Sequence, residues 1–291
     1  MSITGIIPPM VTPMTESEEI DVPGIRREAE LLLAAGVHGL SFAGSTGEGA
    51  VLDDREIATG VAAVREVTAG SVPLLCGIIR DSTRAALSAA QAARDAGADA
   101  LMVTPTHYYG SSEDGTVEFY DRIARLGLPV VVYNVVASNP VSPQLMVELA
   151  RIPNVVGIKQ SVGGANELAD MLRVAGDRTS VYAAHDGLLM AEFLLGASGS
   201  ISAILTVFPR LFVKLWDAVA AGEIGRAREI HDSVLPAWRL IEGRYFPARL
   251  KAALSLMGRD VGPARHPMIR PSDDELARLA EALEPHTKER T

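Results

Sequence analysis

The segment NVVGIKQS (residues 154–161) places Lys159 at the end of an apolar run. A buried ammonium is costly, so a lysine there either pairs with a carboxylate or gives up its proton. The neutral amine is the form that attacks a carbonyl carbon and leaves a Schiff base. A lysine can also run out to solvent along its aliphatic stem, and Lys159 alone does not decide between the two.

Four other segments bear on that choice. PVVVYN (129–134) carries Tyr133 near its tip, where a phenol can pass protons to and from a carbinolamine and an imine. A core tyrosine with a satisfied hydroxyl is the alternative. GSTGEG (44–49) follows the run GLSFAG; its small residues let backbone N–H groups face a ligand, and Ser45 and Thr46 add hydroxyls. Such a nest before a helix suits a carboxylate or a phosphate. Glu48 is expected at the start of that helix, where the dipole favours negative charge. VTPTHYYG (103–110) brings His107, Tyr108 and Tyr109 into one loop, either over a site or as packing or interface groups. AAHDG (183–187) offers His185 and Asp186 to substrate hydroxyls, with Asp186 otherwise capping the helix that follows.

No metal site and no organic cofactor are expected. The histidines form no HxxxH or HxH pair, and Cys76 is the single cysteine, in an apolar run that makes it a packing residue. Neither GxGxxG nor a Walker-type loop is present.

These residues sit on separate segments, so a scaffold must gather the segment ends. Eight short apolar or β-branched runs alternate with helical stretches: 5–8, 39–42, 73–78, 100–104, 129–134, 155–159, 180–184 and 199–203. Gly36, Gly70, Gly97, Gly127, Gly176 and Gly196 close helical runs where a left-handed residue is wanted. Eight βα units with no linker between them predict a (β/α)₈ barrel over 1–205. Residues 206–291 continue as helix, an extension packed on the barrel. In such barrels, chemistry sits where strands end and βα loops begin.

Composition narrows the partners. With 27 Lys and Arg against 36 Asp and Glu, the formal charge is −9. That balance gives no long-range attraction for nucleic acid or an anionic membrane. The first residues lack the basic start and long apolar core of a signal peptide, and no run reaches the ~18 apolar residues of a membrane helix. Cytoplasm is the expected location.

GSTGE after the second run, YN at the fifth and GIKQS at the sixth occur in the order and spacing of a known family. The chain resembles the dihydrodipicolinate synthase and N-acetylneuraminate lyase family of class I, pyruvate-binding barrels. The likeness runs from GIIPPMVTP to VGPARHPMI. It implies a Schiff-base lysine at Lys159 and a proton-shuttling tyrosine at Tyr133. Ser45 and Thr46 match the hydroxyl pair that binds the 2-oxo acid carboxylate and relays protons. Ala184 matches a backbone contact to substrate, and Ile204 stands beside the pyruvate methyl. A homo-oligomer, tetramer or dimer, is implied as well.

Two departures bear on the substrate. Synthases of the lysine pathway resemble YNVPSRTG, whose arginine grips the second substrate's carboxylate; here YNVVASNPVSP has no arginine. The family's TPYYN becomes TPTHYYG, so His107 matches the loop group by count and Tyr108 by chemistry. The leading expectation is an aldolase or hydro-lyase acting on a small, hydroxylated 2-oxo acid. The second is 4-hydroxy-tetrahydrodipicolinate synthase, condensing pyruvate with aspartate semialdehyde. A non-catalytic 2-oxo acid sensor is the third.

Overall fold

The computed structural model describes residues 3–243 and 245–290. Its eight strands are β1 (Gly5–Ile6), β2 (Leu40–Phe42), β3 (Leu74–Ile78), β4 (Ala100–Val103), β5 (Val130–Asn134), β6 (Val155–Gln160), β7 (Ser180–Ala183) and β8 (Gly199–Ser200). They form one parallel sheet in the order β1-β8-β7-β6-β5-β4-β3-β2. The seam between β1 and β2 closes through a Pro9–Ser41 bridge, where Met10 N–H donates to the Ser41 carbonyl at 2.7 Å. The result is a (β/α)₈ barrel.

The helices are α1 (Val22–Ala34), α2 (Asp54–Thr68), α3 (Thr83–Asp95), α4 (Glu113–Ala124), α5 (Pro143–Leu149), α6 (Gly164–Ala175), α7 (Leu189–Leu194), α8 (Ile204–Val207), α9 (Pro209–Ala220), α10 (Ile224–Ile241), α11 (Phe246–Leu256) and α12 (Asp273–Leu283). Short side chains start many of them. Asp53 caps α2 in a reciprocal box with Glu56, and Ser82, Ser112, Ser142 and Ser272 cap α3, α4, α5 and α12. α9 packs on β1 and α7 and completes the outer ring, and α10 then packs on α9 and α12. Arg259 ties the chain beyond α11 back to α1 through a buried pair with Glu28, while its Nη1 donates to the Thr206 carbonyl.

Alternation along the strands divides the core. Ile7, Leu75, Met102, Val131, Tyr133 and Tyr182 fill the barrel interior, and residues such as Leu101, Val103, Val132 and Ile158 face the helices.

Three expectations need correction. β1 and β8 are shorter than their apolar runs, and at β1 the reason is plain: Pro8 and Pro9 have no N–H to give a ladder. Gly176 is right-handed at φ −60°, because α6 ends on an ordinary turn, while the other five glycines named above have positive φ. Glu48 does not begin a helix. Residues 44–51 form successive turns, and α2 starts later with its own cap at Asp53.

Candidate active site

Strand register places the central pair. Tyr133 on β5 is the ladder partner of Lys159 on β6, and Lys159 is in turn the partner of Tyr182 on β7. Partners in a parallel ladder point to the same face, so Lys159 shares the interior face with Tyr133 and Tyr182. Both side chains are buried, Lys159 at 6% exposure and Tyr133 at 4%. Lys159 Nζ stands 3.8 Å from the centroid of the Tyr133 ring, a cation–π distance. Tyr133 Oη donates to Ser45 Oγ at 3.1 Å, joining the β5 tip to the loop after β2.

The two strand ends are braced just beyond these residues. Asn134 Nδ2 donates to Gln160 Oε1 and to the Val141 carbonyl, both at 2.9 Å. Its Oδ1 accepts from Val141 N–H at 2.9 Å. The brace fixes the spacing of Tyr133 and Lys159, because each side chain belongs to the residue before a bonded amide.

The Ser45–Thr46 loop is held from behind. Ala43 and Glu48 both have positive φ, 56° and 59°, an uncommon state for residues with a Cβ. Gly49 is required by space, since a Cβ there would stand 1.7 Å from the Ala43 carbonyl oxygen. Thr12 Oγ1 donates to the Gly47 carbonyl at 2.7 Å. The Glu48 carboxylate, fully buried, meets Lys251 Nζ of α11 at 2.7 Å and accepts from Arg265 N–H at 2.8 Å. Burial pushes the Lys251 amine below its usual range, and the Glu48 charge opposes that. So Glu48 anchors the loop to the C-terminal helices. Ser45 remains exposed at the mouth, and Thr46 is buried beside it.

On the opposite rim, Asp186 follows β7 and is partly buried. Its Oδ1 accepts from Ser202 Oγ and, at 2.7 Å, from Ile204 N–H. It therefore caps the exit of β8 and the start of α8, not the helix after its own strand. Burial raises the Asp186 carboxyl above the usual carboxylate range, opposed by those two donors and by the Lys159 charge. Ile204 is wholly buried at this joint, and Ala184 is partly exposed at the β7 tip. His185 pairs through Nδ1 with Glu192, a fully buried carboxylate on α7. That hydrogen bond holds the imidazole above its usual range.

The aromatic loop divides. His107 lines a cavity of about 340 Å³ together with Ser45, Thr104, Val135, Pro247 and Met268. Asp81 holds it there, accepting from His107 N–H at 2.6 Å and pairing with its Nε2 at 2.8 Å. Tyr108 does not join the cavity wall. It is 76% exposed and stacks edge-on against Tyr109, with centroids 4.9 Å apart.

Sequence patterning does not single out Glu192, Asp81, Lys251 or Arg239. Glu192 left one signal, the lone charge in LLMAEFLLG. Arg239 on α10 reaches the turn after β7, where a Cβ on Gly187 would stand 3.1 Å from its guanidinium. Among the described residues no group of three or more His, Cys, Asp or Glu could hold a metal ion. No helix among them is long and apolar enough to cross a membrane.

The model of the dihydrodipicolinate synthetase family matches residues 2–286. The chain belongs to that family. As a member of the dihydrodipicolinate synthetase family it is an enzyme of the aldolase and lyase group. It is 33% identical over 284 residues to a 4-hydroxy-tetrahydrodipicolinate synthase of Methanospirillum hungatei, covering 96% of this chain and 98% of that one. A synthase of the same name from Archaeoglobus fulgidus is 32% identical over 96% of each chain. Among solved structures, YagE, a prophage protein of the dihydrodipicolinic acid synthase family from E. coli K12 in complex with pyruvate, superposes with a TM-score of 0.92. It is 30% identical and covers 98% of both chains. A putative dihydrodipicolinate synthetase from Pseudomonas aeruginosa also has a TM-score of 0.92, at 31% identity over 97% of this chain and 99% of that one.

Proposed function

We propose that this family member binds a pyruvate-like 2-oxo acid as a Schiff base on Lys159 and makes or breaks a bond at the adjacent carbon. One observation carries the reading: Lys159 Nζ lies 3.8 Å from the Tyr133 ring centroid, and the hydroxyl of that same tyrosine donates to Ser45. The amine adds to the C2 carbonyl, and the carbinolamine loses its oxygen as water. Tyr133 and Ser45 hand on the protons that this exchange requires. Ser45 and Thr46 hold the carboxylate. The imine then draws the C3 electron pair, so a bond at C3–C4 or a leaving group beyond C3 can be made or broken without a metal.

Within that chemistry we place cleavage or dehydration of a hydroxylated 2-oxo acid first. The stretch after Tyr133 has no arginine to fork onto a second carboxylate, while His185 and Asp186 put polar groups on the opposite rim. A site that bonds hydroxyls rejects analogues lacking them. Condensation of pyruvate with aspartate semialdehyde is the second reading. Relatives named as that synthase favour it, and Arg239, beside the turn after β7, is a guanidinium that could meet the second carboxylate. Comparing kcat/KM for both substrate sets on one preparation tests the order. A clear preference for the semialdehyde would reverse it.

We further propose a homo-oligomer, in keeping with the exposed Tyr108–Tyr109 pair, and a cytoplasmic location, in keeping with an acidic chain whose one cysteine is buried. Sedimentation at micromolar concentration tests the first; a monomer would contradict it.

A further inference from the structure

The cavity of about 340 Å³ beside Ser45 opens above the ends of three neighbouring strands. Ile79 follows β3, Thr104 follows β4, and Val135 and Val136 follow β5; all four line it. Val51 closes it from the loop after β2, and Pro247 and Met268 close it from the C-terminal extension. Most of that wall is apolar, and its polar groups already have partners. The Glu48 carboxylate meets Lys251 and the Arg265 N–H, His107 Nε2 meets Asp81, and Thr104 Oγ1 donates to the Ile78 carbonyl at 3.5 Å. Ser45 Oγ accepts from Tyr133, which makes the cavity continuous with the site around Lys159. Among the described residues no lysine or arginine lines it. A hydroxylated or charged tail placed there would lose its water and find no free partner in exchange. An apolar tail would lose nothing of the kind. A dry cavity of roughly 150 Å³ already admits benzene, so this one has room for an aromatic ring and the carbon that bears it.

We infer that this cavity receives the substrate beyond C4 and that this part is apolar: the substrate is a 4-hydroxy-2-oxo acid whose C4 carries a group about the size of an aromatic ring. Val136 after β5 and Met268 beyond α11 then set the specificity. The inference rests on the Schiff-base reading of Lys159 and names the substrate class for it. In cleavage the C3–C4 bond breaks, its electron pair passes into the imine to leave an enamine, and C4 departs as an apolar aldehyde. The C4 hydroxyl proton travels by way of Tyr133 to C3 of the enamine, and water then frees pyruvate from Lys159.

The test uses the full-length chain and two variants from different walls, Val136→Asp and Met268→Gln, each checked by thermal unfolding. Three readouts are taken: borohydride labelling of Lys159 with pyruvate, and kcat/KM for cleavage of 4-hydroxy-4-phenyl-2-oxobutanoate and of a 3-deoxy-2-oxo sugar acid. The parent should cleave the phenyl acid at least about tenfold better than the sugar acid, the discrimination that apolar contacts supply. Val136→Asp should lower kcat/KM for the phenyl acid about 10–100-fold, and Met268→Gln should lower it in the same direction. Pyruvate labelling should stay within about threefold in both, since pyruvate has no tail to reach these walls. A parent that prefers the sugar acid overturns the inference, whether or not either variant folds. So does a parent that labels with pyruvate but cleaves neither acid. Folded variants that leave the phenyl acid unchanged, or that lower all three readouts alike, overturn it too. A parent that takes no label overturns the Schiff-base reading, and the inference falls with it.

Discussion

Tyr133 on β5 donates its phenolic hydrogen to Ser45 in the loop after β2, 88 positions earlier in the chain. Its ring meanwhile lies 3.8 Å from Lys159 Nζ. One side chain thus links the amine that would carry the substrate to the hydroxyl that would hold its carboxylate. The barrel makes this possible, because β5 and β6 are ladder partners and the β2 loop opens onto the same mouth.

That link predicts the outcome of removing the phenol. Tyr133→Phe should keep the fold and most of the 2-oxo acid affinity, while kcat falls about 10²–10⁴-fold, the range for losing a positioned proton donor. Steady-state kinetics with a thermal unfolding control measure it. Full retention of kcat would reduce Tyr133 to packing.

The anchor behind the Ser45–Thr46 loop makes a stability prediction. Glu48 and Lys251 form an ion pair that is almost wholly buried, so removing one partner strands the other charge. Lys251→Met should cost about 3–5 kcal/mol in urea unfolding, and Lys251→Met with Glu48→Gln should cost less than the sum of the single changes. Strict additivity would show that the two charges do not depend on each other.

Much of this was legible in the sequence, for physical reasons that differ by residue. Lys159 and Tyr133 stand at the ends of uniformly apolar runs, where a polar group is conspicuous, and the ladder register then sets them side by side. Helices that begin with a clear cap, such as α2 at Asp53 and α12 at Ser272, need no tertiary information to be placed. Glu48 was misread because its role depends on Lys251, 203 positions later, and no local pattern encodes that meeting. Tyr108 and His107 could not be ranked because the choice turns on Asp81, which holds His107 inward from another loop. Gly176 looked like its fellow glycines although α6 turns out of its last residue without needing a left-handed one.

The His185–Glu192 pair predicts a pH dependence of stability. The partner carboxylate raises the folded imidazole above its unfolded value of about 6.5. A raised cation pKa contributes stability that is fully present below the unfolded value and is lost as pH rises through the folded one. The advantage of the parent over Glu192→Gln should therefore be largest near pH 6 and shrink toward pH 9. Urea unfolding of both proteins across that range checks the sign; an advantage that grows with pH would contradict it.

The imine serves as the electron sink in the proposed chemistry, so turnover should need no added metal and no organic cofactor. Dialysis against a strong chelator should leave kcat unchanged. Loss of activity that one metal restores would count against the scheme.

The most direct measurement is reduction of the adduct itself. Incubation with pyruvate and borohydride should inactivate the protein irreversibly and add the reduced pyruvyl group to the peptide holding Val156 to Ser161, at Lys159, because hydride turns a labile imine into a stable amine. Lys159→Ala should fold and take no label. If that variant labels as fully as the parent, or the parent's label maps to another lysine, Lys159 is not the residue that carries the substrate.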